Sequence, residues 1–388
     1  MPTDDERRWP GTEPPVHGSP RRRRGSVRRT TIVDMVRPDG LAGPLVIEGN
    51  GRDLATGIDG EPYLIGAAAT SVTVAAGPDR AITAVAAQSV MDRDAGGDHH
   101  HLDGLIGVRA GSGFRRALAE TAPDLVVGGS LVHLLLDDTP PAALIAGSVL
   151  VRAGLLSNLA SALPVGGSAA GGSAAGGSAA GGTPSSPRSR PRTLPVGICA
   201  GWAPDGAMVR AVVETGIPLL GWGPPAPDLN CGPDGSPDLM AWQATEPLAP
   251  ESMRRRRLID LWRGVGTDGR TASAPLRVEV RFRDTYGEPD DVGETVVHEY
   301  GFTARIDPST WLITAATATP GPLPAPECPS AAASAERLVG LRVDDLRTRV
   351  RDDLTGTSTC THLNDLFRSL ADVRSLWDSA ALARGESR

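Results

Sequence analysis

Cys360, Thr361, His362, Leu363 and Asn364 stand together where an amphipathic helix is expected to begin. A thiol at a helix N-terminus feels the positive end of the macrodipole, which favours thiolate. An imidazole two residues on can take its proton or share a metal with it. The same residues also fit a half-buried thiol beside a threonine, Thr361, that caps the helix. Standard motifs are missing elsewhere. Gly111, Ser112 and Gly113 lack the third glycine of a dinucleotide loop and follow no convincing strand. No Gly-x-Ser-x-Gly elbow occurs, and no His-Glu-x-x-His runs on from His298. Asp98, His99, His100 and His101 read as a surface loop, because adjacent histidines point in different directions. Further candidates are Asp137 and Asp138, at the end of an apolar run where acids often line clefts, and Arg281, Arg283 and Asp284. Each of these also reads as a solvated loop or a surface ion pair.

Composition removes several reaction classes. All 39 basic residues are arginine, for the 388 residues contain no lysine. Schiff-base and pyridoxal phosphate mechanisms need a lysine nitrogen, and so do a Walker P-loop and the usual kinase site. The four cysteines, Cys199, Cys231, Cys328 and Cys360, lie far apart without a Cys-x-x-Cys pair and read as reduced thiols. Net charge is −7, but residues 1–30 hold eight arginines against four acids. That basic stretch reads as a solvated tail, so no nucleic-acid partner is expected. The longest apolar run, Leu144 to Val151, falls short of the roughly 20 residues that cross a bilayer. The N-terminus has no apolar signal region. A cytoplasmic location and no membrane partner are the resulting expectations.

The elements that must position these residues suggest an α+β fold of antiparallel sheets with C-terminal helices. Residues 1–25 read as a disordered basic tail, residues 26–163 as a β-rich part, 164–196 as a flexible linker and 197–388 as an α+β part. In the first part, Val27 to Leu54 reads as a hairpin and two β-branched segments follow, around 62–76 and 81–90. Gly113 to Thr121 reads as a short helix, and Leu131 to Asp138 as a buried strand. The linker carries GGSAA three times from Gly166, and such residues bury too little area to offset their ordering entropy. Beyond it, 194–203 reads as a strand and Asp205 to Thr215 as a helix. Glu251 to Arg263 is basic with an apolar stripe. Strands follow at Leu276 to Tyr286, Glu294 to Asp307 and just after Asp307-Pro308-Ser309. Helices close the chain from about Arg342 to Leu354 and through Leu363, Leu366, Phe367, Leu370, Val373 and Leu376.

Four blocks, VRRTTIVDMVRPDGLAGPLVIEGNGRDL, VVHEYGFTARIDPSTWLITAATATPGPLPAPECP, RLVGL and CTHLNDLFRSLADV, together resemble the family called domain of unknown function 2889. The resemblance implies that residues 28–56 and 292–376 pack together as a core, with about 57–291 elaborating it. It singles out Asp39, Asp53, His298, Cys328, Cys360 and His362. His298, Cys328, Cys360 and His362 make a sensible ligand set for zinc or iron. Cys360 could instead be a nucleophile, with His298 or His362 as base and Asp39 as a supporting acid. The same groups could also serve structure alone. The family brings no established reaction. A hydrolase or lyase acting on a small organic or acyl substrate is the preferred expectation, with a non-catalytic ligand-binding or accessory protein as its rival.

Overall fold

The computed structural model describes residues 13–90, 98–155, 194–218, 223–264, 274–289 and 293–383. The GGSAA repeat and residues 1–12 lie outside the described residues. Among the described residues nine strands form one sheet: β1 (Val27–Val36), β2 (Leu45–Thr56), β3 (Pro62–Val74), β4 (Ile82–Val90), β5 (Asp98–His99), β6 (Met253–Arg263), β7 (Leu276–Gly287), β8 (Glu294–Ile306) and β9 (Ile313–Pro320). Their spatial order is β5-β4-β3-β2-β1-β6-β7-β8-β9, and every pair is antiparallel. Each half of the chain is a meander. Their first strands, β1 and β6, pair and turn the two meanders into one sheet. The parts expected on either side of the repeat are therefore a single α+β unit. The block from β1 to β2 is separated from β8 by β6 and β7, and Arg29 still reaches Asp372 at 3.8 Å.

Helices cover one face of this sheet. They are α1 (Phe114–Thr121), α2 (Pro123–Val127), α3 (Leu131–Asp137), α4 (Thr139–Ile145), α5 (Gly147–Arg152), α6 (Ala207–Thr215), α7 (Leu346–Asp353), α8 (Thr361–Ser369) and α9 (Val373–Ala383). The expected strand at Leu131 to Asp138 is α3. Its seven residues are all buried, so its apolar run has no helical stripe and matches a buried strand equally well. Ser130 caps it by accepting from the His133 N–H at 3.0 Å. The whole stretch Leu131–Arg152 is apolar enough to cross a membrane, but it is 61% buried inside the protein. Gly51 on β2 lets α3 approach, since a Cβ there would lie 2.7 Å from Leu131. The expected strand at 194–203 is instead irregular with one 3-10 turn, and Gly197 takes a positive φ. Asp98–His99, expected as loop, pairs briefly with β4.

The opposite face is covered by irregular chain. Part of this cover was expected to be disordered tail. Residues 13–25 instead lie against the loop that follows residue 222. Trp242 Nε1 donates to Ser19 Oγ at 2.9 Å, and Arg22 pairs with Asp238 at 2.9 Å. The arginines that made the stretch look like a solvated tail are what fasten it, because that loop supplies acids.

Two apolar clusters fill the helix-covered face. One joins β6 to β9 with α7 to α9, and the other joins β1 to β4 with α1 and α3 to α5. Between them runs a polar seam. Along β1 it replaces apolar residues with Arg29 and Thr31, along β6 with Arg255 and Arg257, along β7 with Asp284 and along β8 with His298.

Candidate functional site

The seam is a consequence of strand periodicity. Val33, Arg255, Asp284 and His298 lie opposite one another on β1, β6, β7 and β8, so their side chains share a face. A bulge sharpens the placement. Asp284 faces His298 while Thr285 faces Val296, which leaves Val297 as an extra residue on β8. Val296 and His298 therefore point to opposite faces although they are two residues apart. Helix α8 then lowers His362 onto the row.

Asp284, His298 and His362 form one group, with ligand-capable atoms all within 4.8 Å of one another. Asp284 Oδ2 lies 3.4 Å from His298 Nδ1 and 3.9 Å from His362 Nε2. The two imidazoles stack with centroids 3.6 Å apart and planes at 23°. His298 is 8% exposed, and its Nδ1, though 3.4 Å from Asp284, makes no well-formed hydrogen bond.

Arg255 anchors the group. Its Nε donates to Asp284 Oδ1 at 2.8 Å and its Nη2 to Oδ2 at 3.1 Å, and both side chains are fully buried. Burial pushes the Asp284 carboxyl up, but the Arg255 charge outweighs it and holds the group well below the usual carboxylate range. Burial, the largest cause, holds His362 well below the ordinary imidazole value. His362 is thus neutral, the form that ligates metals.

A ring of ion pairs surrounds the anchor. Arg255 also reaches Asp365 at 3.3 Å and Asp138 at 3.6 Å, and Arg257 grips Asp138 at 2.9 Å. Asp137 takes Arg368 at 3.0 Å and Arg115 at 2.6 Å. Asp137 and Asp138 are therefore not acids lining a cleft at a strand end. They close α3 and compensate buried arginines.

The other expected site residues are placed as follows. Cys360 lies beside the group, its Sγ 3.8 Å from His362 Nδ1, but it is not one of the three converging donors. Burial pushes its thiol up to about 11, so the dipole argument for a thiolate fails here. Cys328 begins a 3-10 segment, Cys328–Leu338, in the apolar cluster, and burial pushes its thiol up as well. It too is outside the group of donors. Asp39 is exposed in the turn after β1, six residues beyond Val33 in the row, and cannot supply an acid to the site. Asp53 is engaged by Arg29 at 2.8 and 2.7 Å. Arg281 and Arg283 project to the opposite face, where they meet Glu279 and Glu299.

Asp284 and Arg255 are the residues that sequence reasoning undervalued. The signal was present. In β7, Val278, Val280, Phe282 and Asp284 share one phase of the alternation, so an acid stands in the buried register.

The class defined here is an antiparallel sheet whose helix-covered face carries a buried carboxylate and two imidazoles. Residues 253–375 match the model of the DUF2889 family, described as a protein of unknown function. The match begins at β6, so it takes in β6, β7 and the last three of the four blocks that carry the resemblance, and leaves out the first, residues 27–54. Arg255, Asp284, His298, Cys328, Cys360 and His362 all fall inside it, whereas Asp39, Asp53, Asp137 and Asp138 do not. No curated protein and no solved structure matches the chain.

Proposed function

We propose that Asp284, His298 and His362 bind one divalent transition-metal ion, zinc or iron(II), and that the protein is a metal-dependent enzyme acting on a small organic or acyl substrate. The observation that carries this reading is the convergence of two imidazoles and one carboxylate with His298 Nδ1 left unpartnered although buried. Buried polar groups are seldom left without a partner. Two histidines and one carboxylate suit zinc or iron(II), and three protein ligands leave a coordination position open, as catalytic rather than structural sites do. Ligand atoms around one ion at about 2.0–2.2 Å sit roughly 3–3.5 Å apart. The group must therefore contract by about 1 Å from its widest spacing, and the stacked rings must turn so that both lone pairs meet. An ion held there supplies Lewis acidity toward a carbonyl oxygen, the chemistry of a hydrolase or lyase. Arg255 keeps Asp284 ionised and oriented throughout.

The ring stack favours a second reading, in which the site works without metal and His298 exchanges protons with substrate while Asp284 orients it. The test is to strip the protein, reload it with zinc or iron(II), and assay a panel of small esters, thioesters and hydroxy acids. The proposal expects turnover that a chelator abolishes and that His298→Ala lacks. Turnover indifferent to chelator would favour the second reading. Tight metal binding without turnover on any substrate would return the protein to a non-catalytic accessory role.

A further inference from the structure

The charged side chains around the three donors are sheltered unequally. Those of Arg255 and Asp284 are sealed from solvent, those of Asp365 and His362 are 12% and 15% exposed, and that of Arg115 is 38% exposed. The site therefore opens toward α1, which carries Arg115. Direct contacts lead the same way. Arg255 gives its Nε and Nη2 edge to Asp284, and its Nη1 donates to Asp365 Oδ2 at 3.3 Å. Asp365 Oδ1 lies 3.7 Å from Arg115 Nη2. His362 and Asp365 stand on successive turns of α8, where residues three apart are neighbours. Arg115 is thus one side chain out from the donors.

The Arg115 guanidinium is held without being used up. Its Nε donates to Asp137 Oδ1 at 2.6 Å and its Nη2 to the Asp137 carbonyl oxygen at 3.1 Å. Its Nη1 makes no hydrogen bond among the described residues. Asp137 is also shared, since Arg368 Nη2 reaches its two carboxylate oxygens at 3.0 and 3.1 Å. A guanidinium fixed along one edge, with N–H groups left over and partly open to water, is suited to a carboxylate.

Charge points to the same ligand. Arg115, Arg255, Arg257 and Arg368 meet Asp137, Asp138, Asp284 and Asp365 in this ring, and the two sets balance. A divalent ion on Asp284, His298 and His362 then leaves the site positive. Burial pushes the Asp365 carboxyl up, and a proton there adds to the excess. A sheltered opening with surplus positive charge draws anions.

We infer that the substrate is an organic anion and that Arg115 is the residue that binds its carboxylate, beside the three donors that engage its reacting end. The part played by those donors rests on the proposed function, whereas Arg115 needs no ion to hold a carboxylate. Arg115 and Asp137 lie outside residues 253–375, so the selection of substrate belongs to the part of the chain that the family match leaves out.

Calorimetric titration with straight-chain dicarboxylates from malonate to adipate, each beside its neutral diamide, tests the assignment on zinc-loaded and metal-stripped protein. Zinc-loaded wild type is expected to bind at least one diacid and none of the diamides. Arg115→Gln should weaken that diacid by about tenfold or more while zinc affinity stays the same. Arg115→Lys keeps the charge but loses the planar fork, and should fall between the two. Asp137 retains Arg368 in both variants, and denaturant midpoints check that they remain folded. Equal diacid affinity in wild type and Arg115→Gln would overturn the inference, as would diamides that bind as well as diacids, or no diacid binding at all. If the protein takes up no zinc, the metal reading fails, and the stripped protein still decides the role of Arg115. A diacid-dependent shift of the Arg115 guanidinium nitrogens in nitrogen-15 NMR would then uphold it, and unmoved resonances would refute it.

Discussion

The two faces of the sheet solve the same electrostatic problem differently. Strand β6 carries four consecutive arginines, and alternation sends Arg254 and Arg256 to one face and Arg255 and Arg257 to the other. On the outer face, Arg254 meets Asp34 at 2.5 and 2.7 Å and Arg256 meets Glu294 at 2.7 Å, with acids about one-fifth exposed. Thr285 and the carbonyl of Glu246 take up remaining valences. On the helix-covered face, Arg255 and Asp284 are fully buried, and two imidazoles join them without completing the hydrogen bonding. Paired charges near water hold the cover in place. Paired charges away from water, with an unsatisfied imidazole beside them, have capacity left for a ligand. The difference lies in what remains unspent, since both faces use the same residue types.

Breaking one pair on each face measures that difference. Asp284→Ala leaves Arg255 buried with its main partner gone, which should cost about 3–5 kcal/mol. Asp34→Ala removes a partly wetted acid from an arginine that retains Glu294, and should cost about 1 kcal/mol. Denaturant unfolding of both variants checks the contrast, and equal losses would erase it.

A pH series sharpens the contrast at smaller scale. The folded value of His362 lies below its ordinary 6.5, so on acidification the unfolded chain takes up this proton first. In the presence of chelator, stability should therefore decline as pH falls from 7 toward 5, by at most about 1.4 kcal/mol per unit for one proton. His362→Gln should flatten that slope, measured as denaturant midpoints across the series. A slope unchanged in the variant would place the responsible group elsewhere.

Much of this architecture was legible beforehand because it depends on local pattern. The strands from β1 to β4 and from β7 to β9 announce themselves by alternation and turn residues, and α8 and α9 by helical spacing. The α3 segment was misread because a helix buried on every side shows no stripe. The described part of the tail was misread because the acids that fasten Arg21 and Arg22 lie more than 200 residues away, at Asp234 and Asp238. His298 and His362 were visible through the family resemblance, and the structure brings them together. Asp284 was visible only as an acid in the wrong phase of a strand, and its partner Arg255 lay in a run that looked merely basic. Asp39 was favoured by family position alone, and a turn at the sheet's end cannot reach the row.

The most direct measurement is a calorimetric titration of zinc into the metal-stripped protein. Wild type, Asp34→Asn and Cys328→Ala should each bind one ion per chain, and folded Asp284→Asn, His298→Ala and His362→Ala should show no such binding. Undiminished binding in those last three, or none in the wild type, would contradict it.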